Sequence, residues 1–198
     1  MALLTDKEIS ALADLDIFQP YVGEKRRKLD NGTKAISYGL SQAGYDIRLS
    51  PKQFLIFDDA GLYRHDAQLD PKLADSTIPY EAALIHHQGS SYFELSPFSF
   101  ALGTSLELIT MPKDVMGICQ GKSTYARIGL VANILPVEPG WSGYLTMCLV
   151  NPTPFPMRVY ANEGICQVLL FRLGSEVDQA YTGQYQNQGQ EVTLSKVG

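Results

Sequence analysis

The segment Gly121-Lys122-Ser123-Thr124-Tyr125-Ala126-Arg127-Ile128-Gly129 brings a glycine, two adjacent hydroxyls and two cations into one short stretch. Those are the groups that hold a polyphosphate: N–H and O–H donors, with Lys122 and Arg127 to offset its charge. A carboxylate follows in Val137-Glu138-Pro139-Gly140-Trp141. A phosphate cradle followed by an acid points to chemistry on a nucleotide. The segment is not a P-loop. That motif needs a glycine at position 116, which is Met116, and a long helix after the lysine, which Gly129 cuts short. A short helix with its free N–H groups toward a phosphate fits the residues. So does a polar turn with Arg127 on the surface.

The elements that must carry this segment read as β. Thr5 and Glu8 form a capping box for a short helix over residues 5–13, with Ile9, Leu12 and Ala13 on one face. Beyond it, apolar runs recur at close spacing: Tyr45–Leu49, Gln53–Phe57, Ala82–Ile85, Ser99–Leu102, Ser105–Ile109, Val115–Ile118, Tyr144–Val150, Met157–Tyr160 and Ile165–Phe171. Gly, Pro, Asn and Asp clusters separate them, so the fold class is mainly β, a barrel or jelly roll. Residues 58–79 read as a long surface loop, and His86-His87 before Gln88-Gly89 as a turn. The tail 181–198 is polar and cannot order itself alone. It reads as mobile, or as a lid that closes on a ligand.

The bulk numbers narrow the function. The 198 residues suit a single domain with a core of its own. A net charge of −5 argues against a general nucleic-acid binder. No apolar run is long enough to span a membrane, and the N-terminus carries no signal-peptide pattern; a soluble, cytoplasmic protein is expected. Cys119, Cys148 and Cys166 are odd in number and widely spaced, which suggests no disulfide framework. With His65, His86 and His87 they show no metal-ligand spacing, so no protein-held metal is expected. The zinc deaminase signature is absent.

Several motifs in order then carry a resemblance. They are Tyr38-Gly39-Leu40-Ser41, Gly44-Tyr45-Asp46-Ile47-Arg48-Leu49, Gly121 to Arg127, Glu138-Pro139-Gly140-Trp141-Ser142-Gly143, Tyr160-Ala161-Asn162-Glu163-Gly164, Gln167-Val168-Leu169 and Gly183-Gln184-Tyr185-Gln186-Asn187-Gln188. Over nearly its whole length the chain resembles the dCTP deaminase branch of the dUTPase superfamily. The resemblance implies one dUTPase-like nucleotide-binding domain over 1–198, a distorted β-barrel with a short N-terminal helix and a mobile tail. It implies a homotrimer with sites between subunits, so that Ser123 and Arg127 could serve a neighbour's nucleotide. The ligand is a deoxynucleoside triphosphate (dCTP, dUTP or a modified pyrimidine) bound with Mg2+ through its phosphates. Lys122, Ser123 and Thr124 are then expected at the triphosphate, and Ser123 and Arg127 at the attacking water. Glu138 is expected beside the deoxyribose, Thr146, Met147 and Cys148 at the base, and Tyr181, Gln184 and Gln188 in the closing tail.

The chain departs from the family pattern at the acid itself. The family's deaminating Glu ends a Thr-Leu-Glu strand, where this chain reads Thr146-Met147-Cys148. A thiol with an ordinary pKa near ~8.5 accepts a proton poorly at neutral pH. Gln184 stands where the tail motif has Lys, and Leu135 where a Thr often precedes Pro136. Three readings follow: a hydrolytic dCTP deaminase with Ser123, Arg127, Glu138 and Cys148 as catalytic candidates; a pyrophosphatase with Glu138 as base; or a nucleotide-binding regulator without turnover. Cys148 is also compatible with a plain core position, as are Cys119 and Cys166.

Overall fold

The computed structural model describes residues 1–57, 72 and 79–195. The expected loop over 58–79 and His65 lie almost wholly outside them. Helix α1 (Asp6–Ala13) begins at Thr5, whose N–H and Oγ1 both donate to Glu8 Oε2 at 2.9 and 2.8 Å. This is the capping box that the spacing predicts. Its Ile9 and Leu12 are buried in the core.

The rest is antiparallel β. In chain order the strands are β1 (Ala2–Leu3), β2 (Phe18–Gln19), β3 (Arg26–Lys28), β4 (Lys34–Ser41), β5 (Gly44–Phe57), β6 (Tyr80–Glu81), β7 (Ile85–His87), β8 (Ser90–Leu95), β9 (Ser99–Thr110), β10 (Val115–Gly121), β11 (Val131–Asn133), β12 (Ser142–Asn151), β13 (Met157–Ala161) and β14 (Gly164–Arg172). Among the described residues the main sheet runs β1-β14-β5-β9-β12-β11, with β10 also on β14 and β4 on β5. A smaller sheet, β13-β8-β7, adds to it.

Two expected strands, Tyr45–Leu49 and Gln53–Phe57, are one bent strand. β5 pairs with β14 through Tyr45 to Arg48, and with β9 from Leu49 on, with an irregularity between Leu49 and Phe54. Pro51 lies at that bend, where a missing N–H does no harm to the ladder. The strand turns the corner of the barrel there. In the same way Ser99–Leu102 and Ser105–Ile109 merge into β9.

Other expectations change locally. Ala82 and Leu84 lie outside strands, and β7 begins at Ile85. His86 and His87 are in β7, and the turn falls on Gln88-Gly89, with φ of 49° and 83°. Two left-handed residues in a two-residue loop match the twist of a tight hairpin.

The core holds stacked rings, Phe18 on Tyr45 at 4.1 Å and Phe54 on Phe93 at 4.8 Å. Charges are buried among them. Arg48 of β5 donates through Nε to Glu107 Oε1 of β9 at 2.6 Å, and through its backbone N–H to Oε2 at 2.9 Å. Glu107 is fully buried. Burial pushes its carboxyl up, and Arg48 pulls it back down.

Removing one partner of such a pair leaves a charge uncompensated. Arg48→Met is expected to lower the unfolding free energy by about 3–5 kcal/mol. The double variant Arg48→Met/Glu107→Leu should recover most of that loss. Urea denaturation at fixed protein concentration measures both; equal losses in the two variants refute the assignment.

Candidate active site

A cavity of about 460 Å3 opens where the hairpin Glu138–Gly143, strand β12 and the tail meet. Strand alternation decides which side chains face it. Thr146 and Cys148 of β12 point to the cavity, whereas Met147 between them is fully buried in the core. Met147 is thus not a lining residue: the two-residue period of the strand turns its side chain away. Its sulfur accepts from Cys166 Sγ at 3.8 Å. Glu138, Leu135 and Trp141 line the cavity from the hairpin side, and Tyr181, Tyr185 and Gln188 from the tail. Tyr185 is a lining residue that the sequence reading missed. Gln184, by contrast, is exposed and outside the lining.

The tail is ordered by the hairpin it covers. Tyr181 N–H donates to Pro139 O at 3.0 Å, and Trp141 Nε1 to Tyr185 O at 2.8 Å. Ser142 N–H donates to Gln186 Oε1, Asn187 N–H to Ser142 O, and Tyr144 N–H to Gln188 O. Gln188 Nε2 reaches the hydroxyl of Thr146 on the cavity wall. Gly143 makes the approach possible, since a Cβ there would stand 2.8 Å from Gln188 N. Tyr181, Tyr185, Gln188 and Thr193 of the tail thus lie against the cavity. Apart from Tyr181, which packs on the core, hydrogen bonds to the turn and to β12 are what order this part of the tail.

The expected phosphate cradle lies elsewhere. Gly121 ends β10, and Ser123–Ala126 form the one-turn helix α2. Tyr125 points inward, buried, and its hydroxyl accepts the Tyr160 N–H at 2.8 Å. Lys122 also turns inward, donating to the Asp46 carboxylate and to Ser37 Oγ. Ser123, Thr124 and Arg127 are exposed. None of Lys122, Ser123, Thr124 and Arg127 lines the first cavity. Thr124 lines a second one of about 470 Å3, with Arg27, Lys34, Ser37 and Glu163.

The electrostatics of the first cavity are simple. Burial pushes the Cys148 thiol up, so it is a protonated, weakly accepting group. Glu138 is the carboxylate of the lining. Among the described residues, no group of three or more His, Cys, Asp or Glu is placed to hold a metal ion. No helix there is long and apolar enough to cross a membrane.

This fold, a curled antiparallel sheet with a partly open cavity on one side and a hydroxyl- and cation-bearing loop apart from it, has a solved counterpart. The crystal structure of 2'-deoxycytidine 5'-triphosphate deaminase from Agrobacterium tumefaciens matches it with a TM-score of 0.56, over 86% of this chain and 48% of that chain, at 17% identity. The profile of the family described as dCTP deaminase-like matches residues 4–173, and the chain belongs to that family. The dCTP deaminase of Polaromonas sp. is 40% identical over 200 residues, covering 99% of this chain and 100% of that protein. The dCTP deaminase of Acidobacterium capsulatum is 39% identical over 200 residues, covering both chains in full. That of Chromobacterium violaceum is 38% identical over 192 residues, 95% of this chain and 96% of its own.

Cys148 is half-buried, while Cys119 and Cys166 are buried. Iodoacetamide should therefore label Cys148 first in the native protein. The rate should rise through a midpoint above the free-thiol value of ~8.5, because the thiolate is the nucleophile. Intact-mass spectrometry across pH measures this; fast labelling at pH 7 refutes the raised thiol.

Proposed function

We propose that this chain is a dCTP deaminase, converting dCTP and water to dUTP and ammonia. The observation that carries this reading is its 38–40% identity, over essentially full length, to proteins named dCTP deaminase. In this reading the base enters the cavity beside Thr146 and Cys148, and the deoxyribose lies against Glu138. Tyr181 and Gln188 close over the ligand from the tail, with Gln184 toward the phosphate end. Ser123, Thr124 and Arg127 take the triphosphate, and Mg2+ is carried by the phosphates as part of the substrate. A cytoplasmic location goes with that substrate.

Water adds to C4 of the base and its first proton passes to N3; the C4 hydroxyl then gives up its remaining proton, the amino group gains one, the C4–N bond breaks, and ammonia leaves with C4 as a carbonyl. Ser123 and Arg127 orient the water. Cys148 can donate to N3 as a neutral thiol but takes back a proton only weakly. Glu138 is the carboxylate nearest to hand for that return.

In this reading Ser123 and Arg127, exposed and outside the cavity of their own chain, reach the cavity of a second copy, each copy giving and receiving once around a closed ring. We infer a homotrimer on this ground. Ile128, Val131 and Leu135, exposed apolar residues next to the cradle and around edge strand β11, support such a contact. An exposed apolar edge is otherwise a liability.

The raised Cys148 thiol and the carboxylate of Glu138 favour one further reading, a pyrophosphatase releasing a monophosphate with Glu138 as base. A product screen with the common deoxynucleoside triphosphates separates the two. Ammonia with dUTP supports the deaminase; pyrophosphate with a monophosphate supports the second reading. Tight binding with neither product indicates a regulator. Restoring a carboxylate, Cys148→Glu, should raise deamination by about 10²-fold or more, the size of general acid–base help. No gain with nucleotide still bound counts against the thiol as the weak step. Glu138→Gln should abolish pyrophosphate release if that reaction occurs.

A further inference from the structure

Lys122 is the cation of the cradle closest to Ser123, yet its ammonium is turned into the protein. It donates to the Asp46 carboxylate and, at 3.0 Å, to Ser37 Oγ. Its side chain is 11% exposed and that of Asp46 1%. Gly164 lies against this side chain: a Cβ there would stand 2.0 Å from Ser37 O, which requires the glycine, and 3.3 Å from Lys122 Cε. The Asp46 Oδ1 atom has no partner, and Lys25, at 3.8 Å from Oδ2, is more exposed, so Lys122 is the close counter-charge of Asp46.

The backbone of the same residue starts the loop. Lys122 N–H donates to Ile165 O at 3.1 Å, and Lys122 O accepts the N–H groups of Tyr125 and Ala126. Inward side chains, Lys122 and Tyr125, therefore fix the segment whose outward side chains are Ser123, Thr124 and Arg127.

We infer that Asp46 is a positioning residue for the phosphate cradle, acting through Lys122, which anchors the loop and does not itself take the phosphate charge. This rests on the reading of Ser123, Thr124 and Arg127 as that cradle. Binding of inorganic triphosphate is measured apart from ammonia release, so failure of the inference is distinguishable from failure of the deaminase reading.

The pH dependence follows from what surrounds the ammonium: Asp46 from β5, Lys25 from the segment before β3, Ser37 from β4 and Cys166 from β14. Burial lowers the Lys122 pKa, and Asp46 raises it back. Without Asp46 the ammonium is lost at a lower pH, and the anchor with it.

The test is a double-mutant cycle in the full-length protein, read by calorimetric binding of inorganic triphosphate across pH. Asp46→Asn is expected to weaken binding about tenfold, the size of one charge-assisted hydrogen bond, and to move the alkaline limb of binding downward. On top of Lys122→Met, Asp46→Asn should cost almost nothing more, because both act through one contact. The double variant holds a neutral pair and keeps the inference testable where a single variant fails to fold. It should bind within about tenfold of the parent, with no alkaline limb from Lys122. Loss of about a hundredfold or more in the double variant means that Lys122 carries phosphate charge itself, and overturns the inference. A change in melting temperature alone, with affinity and pH limb unmoved, overturns it too.

Discussion

Two charges on one face of one strand govern this structure. Asp46 and Arg48 of β5 are two residues apart, so both point the same way, and both are taken out of water. Isolated, either would cost several kcal/mol or more to bury. Each is answered from a different part of the barrel, Arg48 by Glu107 on β9 and Asp46 by Lys122 at the end of β10. The register of β5 is fixed by this, because a slip of one residue would turn both charges to the other face. Hydrophobic contacts stabilise the barrel; these two pairs keep the charges of β5 compensated within it.

Much of this was legible in the residues. The helix start at Thr5 follows from a purely local signal, and the structure shows it in full. Strands with alternating apolar residues, such as β12 and β14, were also visible. β4 and β8 were not, because Lys34–Ser41 and Ser90–Leu95 are rich in polar residues. Their burial comes from neighbours distant in sequence. The length of β5 was hidden for a different reason, since Pro51 looks like a break and acts as a corner. At the candidate site, the motifs quoted from the sequence include segments that line the cavity, while side-chain direction required the fold. Met147 and Lys122 both turn inward. The first follows from strand alternation, and the second depends on an aspartate far away in the chain.

The division of the site has the same origin. A loop held by inward Lys122 and Tyr125 must present its other residues outward, away from the cavity of its own barrel. The cavity lining and the exposed side chains of the loop are therefore on separate faces of one chain. No described bond joins Cys148 to the loop, so a change of side chain at 148 acts on the interior of the cavity without acting on the outward loop.

The closure of the tail has a consequence for how such a pocket can vary. On the hairpin side, apart from Trp141 Nε1 and the Thr146 hydroxyl, the tail is held by main-chain atoms of Pro139, Gly140, Ser142 and Tyr144. Main-chain groups are the same whatever side chain is attached, so on the turn side this contact asks mainly for glycine at 140 and 143, with the amide of Gln186 supplied by the tail. On the same strand, the side chains of Thr146 and Cys148 line the interior. The container and its contents are thus encoded in different atoms of one strand. A lineage can exchange the ligand that it encloses without redesigning the enclosure.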